Sequence, residues 1–327
     1  MPVSVALFGR LPTGAEDTLA AQVEEPATFH PVRDLSDAAA VRDALETAAV
    51  VVGDLPAEMP PAPNLRLVQQ KGAGVENYDL DAIPDEAYLC NVHFHGPALA
   101  EYVFMAWSML RRRVASYDEG LREGRWPVRD AAGEVPDLRD STLGVVGFGH
   151  IGRALVDPAR AFGVDVVAVR GSGPTDDPPE GVSFLGGPDD LDRVLAADAV
   201  VLACPLTEAT RGLLSAPELE RMHEDAVLVN VARGPVVDDR ALYEALATGG
   251  IAGAAVDTWY DYPEGSETCS PSAYPFHALD NVVMTPHTMG WTDGTASRRW
   301  AFVAENIDRV ARGERPENVV REPAEER

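Results

Sequence analysis

The sequence predicts an α/β fold with two parallel-sheet units, and three observations carry that prediction. A chain of 327 residues, 46% of them apolar, is long enough for two domains with cores of their own. Short apolar runs alternate with helix-like segments along most of its length, which is the pattern of βαβ units. The run Gly147-Phe148-Gly149-His150-Ile151-Gly152 stands directly behind the apolar Leu143-Gly144-Val145-Val146 and opens a helix pattern from Ile151 to Phe162.

From Val3 to about Asn91 the strand candidates are Val3–Phe8, Val50–Val52, Leu65–Gln69 and Tyr88–Val92, with Ala38–Thr47 helix-like among them. They read as a small α/β unit with a parallel sheet. A long helix follows from Ala98 to about Arg113, with Ala100, Val103, Phe104, Trp107 and Leu110 on one face. That face suits a bridge between domains or a dimer. From Thr142 to Val256 the alternation is clearer, with strands at Leu143–Val146, Val164–Val169, Ala199–Cys204, Ala226–Val231 and Gly253–Val256. This is the pattern of a doubly wound nucleotide-binding domain. After a turn around Gly290 and Gly294, Thr295–Val310 reads as a helix that packs back on the first unit and makes it discontinuous.

Each glycine of the 147–152 run has a physical task in dinucleotide binding. The first permits the tight strand-to-helix turn, the second lets backbone approach a pyrophosphate, and the third lets helix and strand pack closely. Amides at the helix N-terminus then face the phosphates. A glycine-rich turn in an ordinary α/β protein is the bland alternative.

The formal charge of −26 repels nucleic acid and anionic membrane, so neither is an expected partner. It also leaves an anionic substrate to be held by local cations and backbone amides. Lys71 is the only lysine, a bias that reads as base composition or salt adaptation. Cys90, Cys204 and Cys269 form no C-x-x-C pair, so neither a disulfide framework nor a structural zinc is expected. With no signal-like opening and no apolar run near the roughly 18 residues of a membrane span, a cytoplasmic protein is expected.

On these and further motifs the chain resembles the D-isomer-specific 2-hydroxyacid dehydrogenases over nearly its whole length. The motifs are Gly72-Ala73-Gly74-Val75-Glu76-Asn77-Tyr78-Asp79, Ala100-Glu101, Gly147 to Gly152, Pro205-Leu206-Thr207, Asn230-Val231-Ala232-Arg233-Gly234 and Thr285-Pro286-His287. The resemblance implies two Rossmann-like domains. A doubly wound NAD(P)-binding domain at 98–287 is inserted into a smaller, flavodoxin-like substrate domain at 1–97 and 288–327. It also implies a homodimer and reversible hydride transfer between a nicotinamide and a small 2-oxo or 2-hydroxy acid.

Reducing a 2-oxo acid requires a cation to hold the carboxylate and polarise the carbonyl, and a proton donor for the alkoxide. Arg233 and His287 match those roles. Arg233 follows a strand end, where ligands bind in open α/β sheets, and a guanidinium grips two oxygens at once. A surface ion pair is the alternative for Arg233, and a structural histidine the alternative for His287, whose role rests mainly on the resemblance. The same resemblance implies that the backbone of Ala73, Gly74 and Val75 binds the substrate carboxylate, where a plain turn is the alternative. Asp257 matches a residue near the nicotinamide carboxamide, with loop capping as its alternative.

The departure from the family pattern is Tyr262. Relatives usually place a glutamate there, bonded to the catalytic histidine. Tyr262 completes the expected catalytic set of Arg233, His287 and Tyr262, but a neutral phenol does not favour the imidazolium as a carboxylate does. Reductive activity is therefore expected to fall off at lower pH than in relatives unless Asp261 or Glu264 substitutes. A neutral partner also has precedent in the formate dehydrogenase branch, so formate- or phosphite-type oxidation is the alternative activity.

Cofactor choice turns on Arg170, which stands where an NAD enzyme usually carries Asp or Glu. An arginine pairs with a 2'-phosphate and Ser172 donates to it, so NADP is favoured over NAD; stacking on adenine is the alternative for Arg170. The expected cofactor contacts are Gly147, Gly149, His150, Ile151, Gly152, Arg170, Ser172, Cys204, Pro205, Thr207, Val231, Arg233, Asp257 and His287. His95 joins Ala73, Gly74, Val75 and Arg233 as an expected substrate contact. His93 and His95 lack an evident third ligand and the chemistry needs no metal. Trp259 and Trp291 suit either an aromatic wall or core packing. A second class, a nicotinamide-sensing binding protein like the similar transcriptional co-repressors, is disfavoured by the presence of Arg233 and His287.

Overall fold

The computed structural model describes residues 2–9, 11–75, 78–126, 135–263 and 268–324. In chain order the elements begin β1 (Val3–Phe8), α1 (Ala15–Gln22), β2 (Ala27–Val32), α2 (Ala38–Thr47), β3 (Val50–Gly53), β4 (Leu67–Gln69) and β5 (Tyr88–Cys90). There follow α3 (Gly96–Arg111), α4 (Val114–Arg122), β6 (Thr142–Val146), α5 (His150–Ala154), α6 (Val156–Phe162), β7 (Asp165–Val169), β8 (Phe184–Gly186) and α7 (Leu191–Leu195). The chain continues through β9 (Ala199–Leu202), α8 (Ala216–Leu219), β10 (Val227–Asn230), α9 (Asp239–Thr248), β11 (Gly253–Val256) and β12 (Val282–Met284), and ends with α10 (Asp293–Arg312) and β13 (Val319–Arg321). Two compact units divide it, one of Met1–Phe94 with Asp293–Arg327 and one of His95–Thr292.

In the first unit the sheet order is β13-β5-β4-β3-β1-β2, parallel except for the antiparallel β13. Without β13 this is the flavodoxin-like 2-1-3-4-5 order. Val50, Val51 and Val52 are fully buried, as a central strand covered on both faces requires. Asp37 caps α2 by accepting from the Ala39 and Ala40 amides at 3.1 Å each. The returning α10 packs Trp300, Val303, Ile307 and Val310 against Val5, Leu7 and Leu19. Each such side chain contributes roughly 1.5–3 kcal/mol by leaving water. The buried Asn306 Nδ2 donates to Gln69 Oε1 at 2.7 Å and so ties α10 to β4.

In the second unit the order is β12-β11-β10-β9-β6-β7-β8, and every pairing is parallel. This is the doubly wound 3-2-1-4-5-6 order with one more strand, reversing between β6 and β9. Parallel direction places all the strand C-termini on one edge, which therefore gathers the segments after β6, β7, β9, β10, β11 and β12. The core is apolar β-branched strand residues beneath α3, whose Val103, Ala106 and Trp107 are fully buried.

Three local expectations are corrected. The helix expected at Ile151–Phe162 is two, α5 and α6, with the break at Leu155; Pro158 has no N–H for the Ala154 carbonyl, and its ring crowds that oxygen. The helix expected from Ala98 starts at Gly96, since Pro97 is tolerated in a first turn. The edge strands β2, β8 and β13 were not among the strand candidates. Among the described residues no helix is long and apolar enough to cross a membrane, and no group of three or more His, Cys, Asp or Glu is placed to hold a metal.

Candidate active site

Gly147 leaves β6 with φ +99°, and a Cβ there would lie 2.6 Å from the Cys204 nitrogen and 2.7 Å from the Ala203 carbonyl carbon. Only glycine fits, because the β6 and β9 exits run this close together. A Cβ on Gly152 would meet the Gly147 oxygen at 2.6 Å, so α5 presses onto the turn. Around Gly149, by contrast, a Cβ would find no atom within 4 Å. The exposed Gly149 and His150 thus present backbone to open space at the switch point, an arrangement that fits a pyrophosphate. Ile151 is half-buried behind them. At the end of β7, Arg170 Nε donates to the Gly173 carbonyl at 2.9 Å. This holds the side chain over its own turn and leaves the two terminal guanidinium nitrogens without a hydrogen-bond partner among the described residues, while Ser172 nearby is exposed. After β9, Thr210 Oγ1 donates to the Pro205 carbonyl at 2.6 Å and accepts the Thr207 amide at 2.8 Å, so the Pro205–Thr207 turn is braced. Burial pushes the Cys204 thiol up to about 11, which keeps it protonated at neutral pH.

Arg233 is presented by a clamped loop. Asn230, at the end of β10, accepts the Ala232 amide at 3.0 Å through Oδ1 and donates to the Arg233 carbonyl at 3.0 Å through Nδ2. Gly234 has no room for a Cβ because the Trp259 carbonyl and Tyr260 nitrogen lie against it. The Arg233 Nη1 also donates to the Ala232 carbonyl at 2.7 Å. Val231 is buried beneath.

His287 follows β12 with φ +58°, a left-handed conformation that histidine adopts more readily than most residues. Asp257, only 2% exposed at the end of β11, holds this loop. Its Oδ1 accepts from Thr285 Oγ1 at 2.7 Å and from the Thr288 amide at 3.1 Å, and its Oδ2 accepts from the Met289 amide at 3.3 Å. The hydrogen bonds of Asp257 therefore express the loop-capping role. Tyr102 of α3 shares a hydrogen bond with Thr285 Oγ1 at 3.1 Å, and burial pushes its phenol up to about 12. The Trp259 indole donates to the Thr285 carbonyl at 2.9 Å, so Trp259 serves the core and this loop rather than an open wall. Trp291 is 55% exposed.

Tyr262 lies against the histidine. Its hydroxyl is 3.1 Å from His287 Nδ1, the rings are 5.7 Å apart between centroids, and the Trp259 amide donates to the same hydroxyl at 3.2 Å. Among the described residues the Asp261 carboxylate makes no hydrogen bond, while its backbone meets Pro271 and Cys269; Glu264 lies outside the described residues. The His95 ring, at the start of α3, packs on Gly290, where a Cβ would come within 2.9 Å of it.

In the first unit, the loop after β4 turns its carbonyls inward. Those of Gly72, Ala73, Gly74 and Val75 accept from the Val92 amide, Asn91 Nδ2, Gln70 Nε2 and the Tyr78 amide respectively. None of the four amides in that stretch has a hydrogen-bond acceptor among the described residues. Lys71 Nζ pairs with Asp54 at 2.5 Å.

In sequence no role attaches to Asn230, Gly234, Tyr102 or Gly290, although the first two stand in a family motif and Gly290 in a turn. An Asn at a strand end, bonded two residues on, is a recognisable Asx-turn signal; the partners of the other three are distant in sequence and carry none.

Comparison with known proteins gives the family. The family described as D-isomer specific 2-hydroxyacid dehydrogenase, NAD binding domain, matches residues 104–289. A glyoxylate reductase of Korarchaeum cryptofilum is 36% identical over 265 residues, covering 79% of this chain and 77% of its own. The chain belongs to the D-isomer-specific 2-hydroxyacid dehydrogenases. This dehydrogenase is thus an NAD(P)-dependent oxidoreductase acting on the CH–OH group of its donors, with a nicotinamide cofactor. A hydroxypyruvate reductase of Thermotoga maritima is 31% identical over 239 residues, 72% of the dehydrogenase and 74% of the relative. Among solved structures, a D-isomer specific 2-hydroxyacid dehydrogenase from Xanthobacter autotrophicus Py2, in complex with NADPH and MES, superposes with a TM-score of 0.77 at 28% identity, covering 98% of each chain.

Proposed function

We propose that the protein reduces small 2-oxo acids to D-2-hydroxy acids with NADPH, as a homodimer. The observation that carries this reading is that one sheet edge presents both Arg233, on a loop clamped by Asn230 after β10, and His287, on a loop held by Asp257 after β12. A bound nicotinamide supplies the hydride. Arg233 grips carboxylate and carbonyl oxygens together and draws electron density from the carbonyl carbon. His287 gives a proton to the oxygen as negative charge develops there, and Tyr262 fixes the ring. In the first unit, the amides of Ala73, Gly74 and Val75 suit a carboxylate because their carbonyls are already committed elsewhere. His95, packed on the loop that carries His287, is assigned to the substrate side. Glyoxylate and hydroxypyruvate, the substrates in the names of relatives, are the first acids to test.

For the cofactor, Gly147, Gly149, His150, Ile151 and Gly152 are assigned to the pyrophosphate. Cys204, Pro205, Thr207, Val231 and Asp257 are assigned to the same edge beyond it. The terminal nitrogens of Arg170, with Ser172, are assigned to a 2'-phosphate. Initial rates with NADPH and NADH across a panel of 2-oxo acids test the whole reading. NADPH is expected to be preferred, and Arg170→Ala is expected to lower that preference by about ten- to a hundred-fold, the worth of one or two charge-assisted hydrogen bonds. An NADH preference in the parent enzyme would overturn the assignment. A phenol, Tyr262, rather than a carboxylate beside His287 favours formate or phosphite oxidation as the second reading, and activity with those donors alone would establish it.

Exposed apolar side chains cluster along and just beyond α3 and α4: Met105 is 46% exposed, Val114 44%, Leu121 50% and Trp126 81%. Such a patch supports a self-association face. Sedimentation is expected to give twice the chain mass, and a single-chain mass at micromolar concentration would overturn the dimer.

A further inference from the structure

The chain on both sides of His287 converges on one carboxylate. Before it, the Thr285 hydroxyl donates to Asp257 Oδ1 at 2.7 Å; after it, the Thr288 amide donates to the same oxygen at 3.1 Å and the Met289 amide to Oδ2 at 3.3 Å. His287 itself stands at φ +58°, a conformation that persists where the surroundings over-determine it. Asp257 is buried and forms no ion pair among the described residues, so its oxygens depend on these donors. The direction of one of them traces back to α3. The Thr285 hydroxyl has a single proton, which Asp257 accepts, so the Tyr102 hydroxyl, 3.1 Å from Thr285 Oγ1, donates to that oxygen. Without the Tyr102 proton, the Thr285 hydroxyl has a second acceptor to turn towards, the Val256 carbonyl at 3.5 Å. We propose that Tyr102 is a positioning residue for the His287 loop: its hydroxyl orients Thr285, and Thr285 orients the Asp257 carboxylate that holds residues 288 and 289. This inference rests on the reading of His287 as the proton donor of the reaction and extends that site to a buried residue of α3.

The backbone of Thr285 is held independently of its hydroxyl. Its amide donates to the Val256 carbonyl at 3.1 Å, and its carbonyl accepts the Trp259 indole at 2.9 Å. Loss of the Tyr102 hydroxyl therefore leaves residue 285 in place and frees only the direction of its O–H. The effect passes through Asp257 to the segment after residue 285. A general acid has to stand within hydrogen-bond reach of the oxygen it protonates, and small displacements lower the rate steeply. The substrate carboxylate is assigned to Arg233 and to the Ala73–Val75 amides, on other loops, so the loss is expected in kcat and not in KM.

Two readouts on the full protein test the chain of contacts: hydrogen exchange of the Thr288 and Met289 amides, followed without substrate, and steady-state kinetics. Tyr102→Phe keeps the buried ring and removes only the hydroxyl; Thr285→Val removes the group through which it acts. Each is expected to speed exchange at Thr288 and Met289 roughly ten-fold and to lower kcat by about the same factor, the loss of one hydrogen bond, with KM little changed. Exchange in fragments from β6 and β10 is expected to stay at the parent rate, since the opening is local. The double variant is expected to match Thr285→Val alone, because Tyr102 acts through Thr285, and Thr285→Ser, which keeps the hydroxyl, is expected to behave as the parent. Multiplied effects in the double variant, a Thr285→Ser as impaired as Thr285→Val, faster exchange throughout the unit, or unchanged exchange at Thr288 and Met289 in Tyr102→Phe would each overturn the proposal. Exchange is measured without turnover, so loss of the 2-oxo acid reading in the rate panel and loss of this proposal are separate outcomes.

Discussion

His287→Asn is expected to lower kcat for 2-oxo acid reduction by about 10²–10⁴, the range that a positioned general acid contributes. Asparagine is the informative replacement because residue 287 sits at φ +58°, and asparagine tolerates this region where alanine is strained. The loop should stay in place in the variant, since its amides at Thr288 and Met289 remain bonded to Asp257. The loss should therefore appear in turnover, with cofactor binding and thermal midpoint close to the parent. The same variant should also lose whatever pH dependence the histidine imposes on the rate. A reduction of less than about ten-fold in kcat would mean that the proton comes from another group, and the alkoxide would then need another donor on this edge.

Arg233→Lys is expected to reduce kcat/KM for 2-oxo acids by about 10²–10³, the usual cost of removing a donor aimed at developing negative charge. Charge is retained, so the effect measures geometry: an ammonium is a point charge and cannot bond two oxygens in one plane. The backbone at 233 is held independently of the side chain, by Asn230 on both sides of the peptide and by Gly234 against Trp259. The loop is thus expected to survive the substitution. A fall in kcat together with kcat/KM would assign Arg233 to transition-state stabilisation, whereas a rise in KM alone would assign it to uniform binding of the carboxylate. Parent-like kinetics in Arg233→Lys would remove the guanidinium from the mechanism.

Much of this arrangement was legible along the chain because its parts are local. A glycine run directly behind a strand, an arginine just past one strand and a histidine just past another are each short-range patterns, and a parallel sheet brings every such strand end to one edge whatever the loops between do. The central strands were legible for the same reason: burial on both faces writes them as unbroken apolar runs, as in Val50–Val52. The edge strands β2, β8 and β13 were not, because one side of an edge strand needs no pairing. Ala27–Val32 carries Pro31 and leaves Thr28, His30 and Pro31 exposed, features that a central strand would exclude.

Only the folded backbone decided which group bonds what. Asp257 reads in sequence as a strand-end carboxylate suited to a cofactor or to capping a loop; folding bonds both of its oxygens to the loop that carries His287. The break at Leu155 needed the register of Pro158 against the Ala154 carbonyl, and the close approach at Gly234 needed Trp259 from another strand end. The Tyr262 hydroxyl meets a backbone amide and a ring nitrogen that come together only when the β11 and β12 exits lie side by side. Residue types fix what each group is able to donate or accept, but hydrogen-bond partners lie within about 3 Å, and that proximity between distant segments is a property of tertiary structure alone.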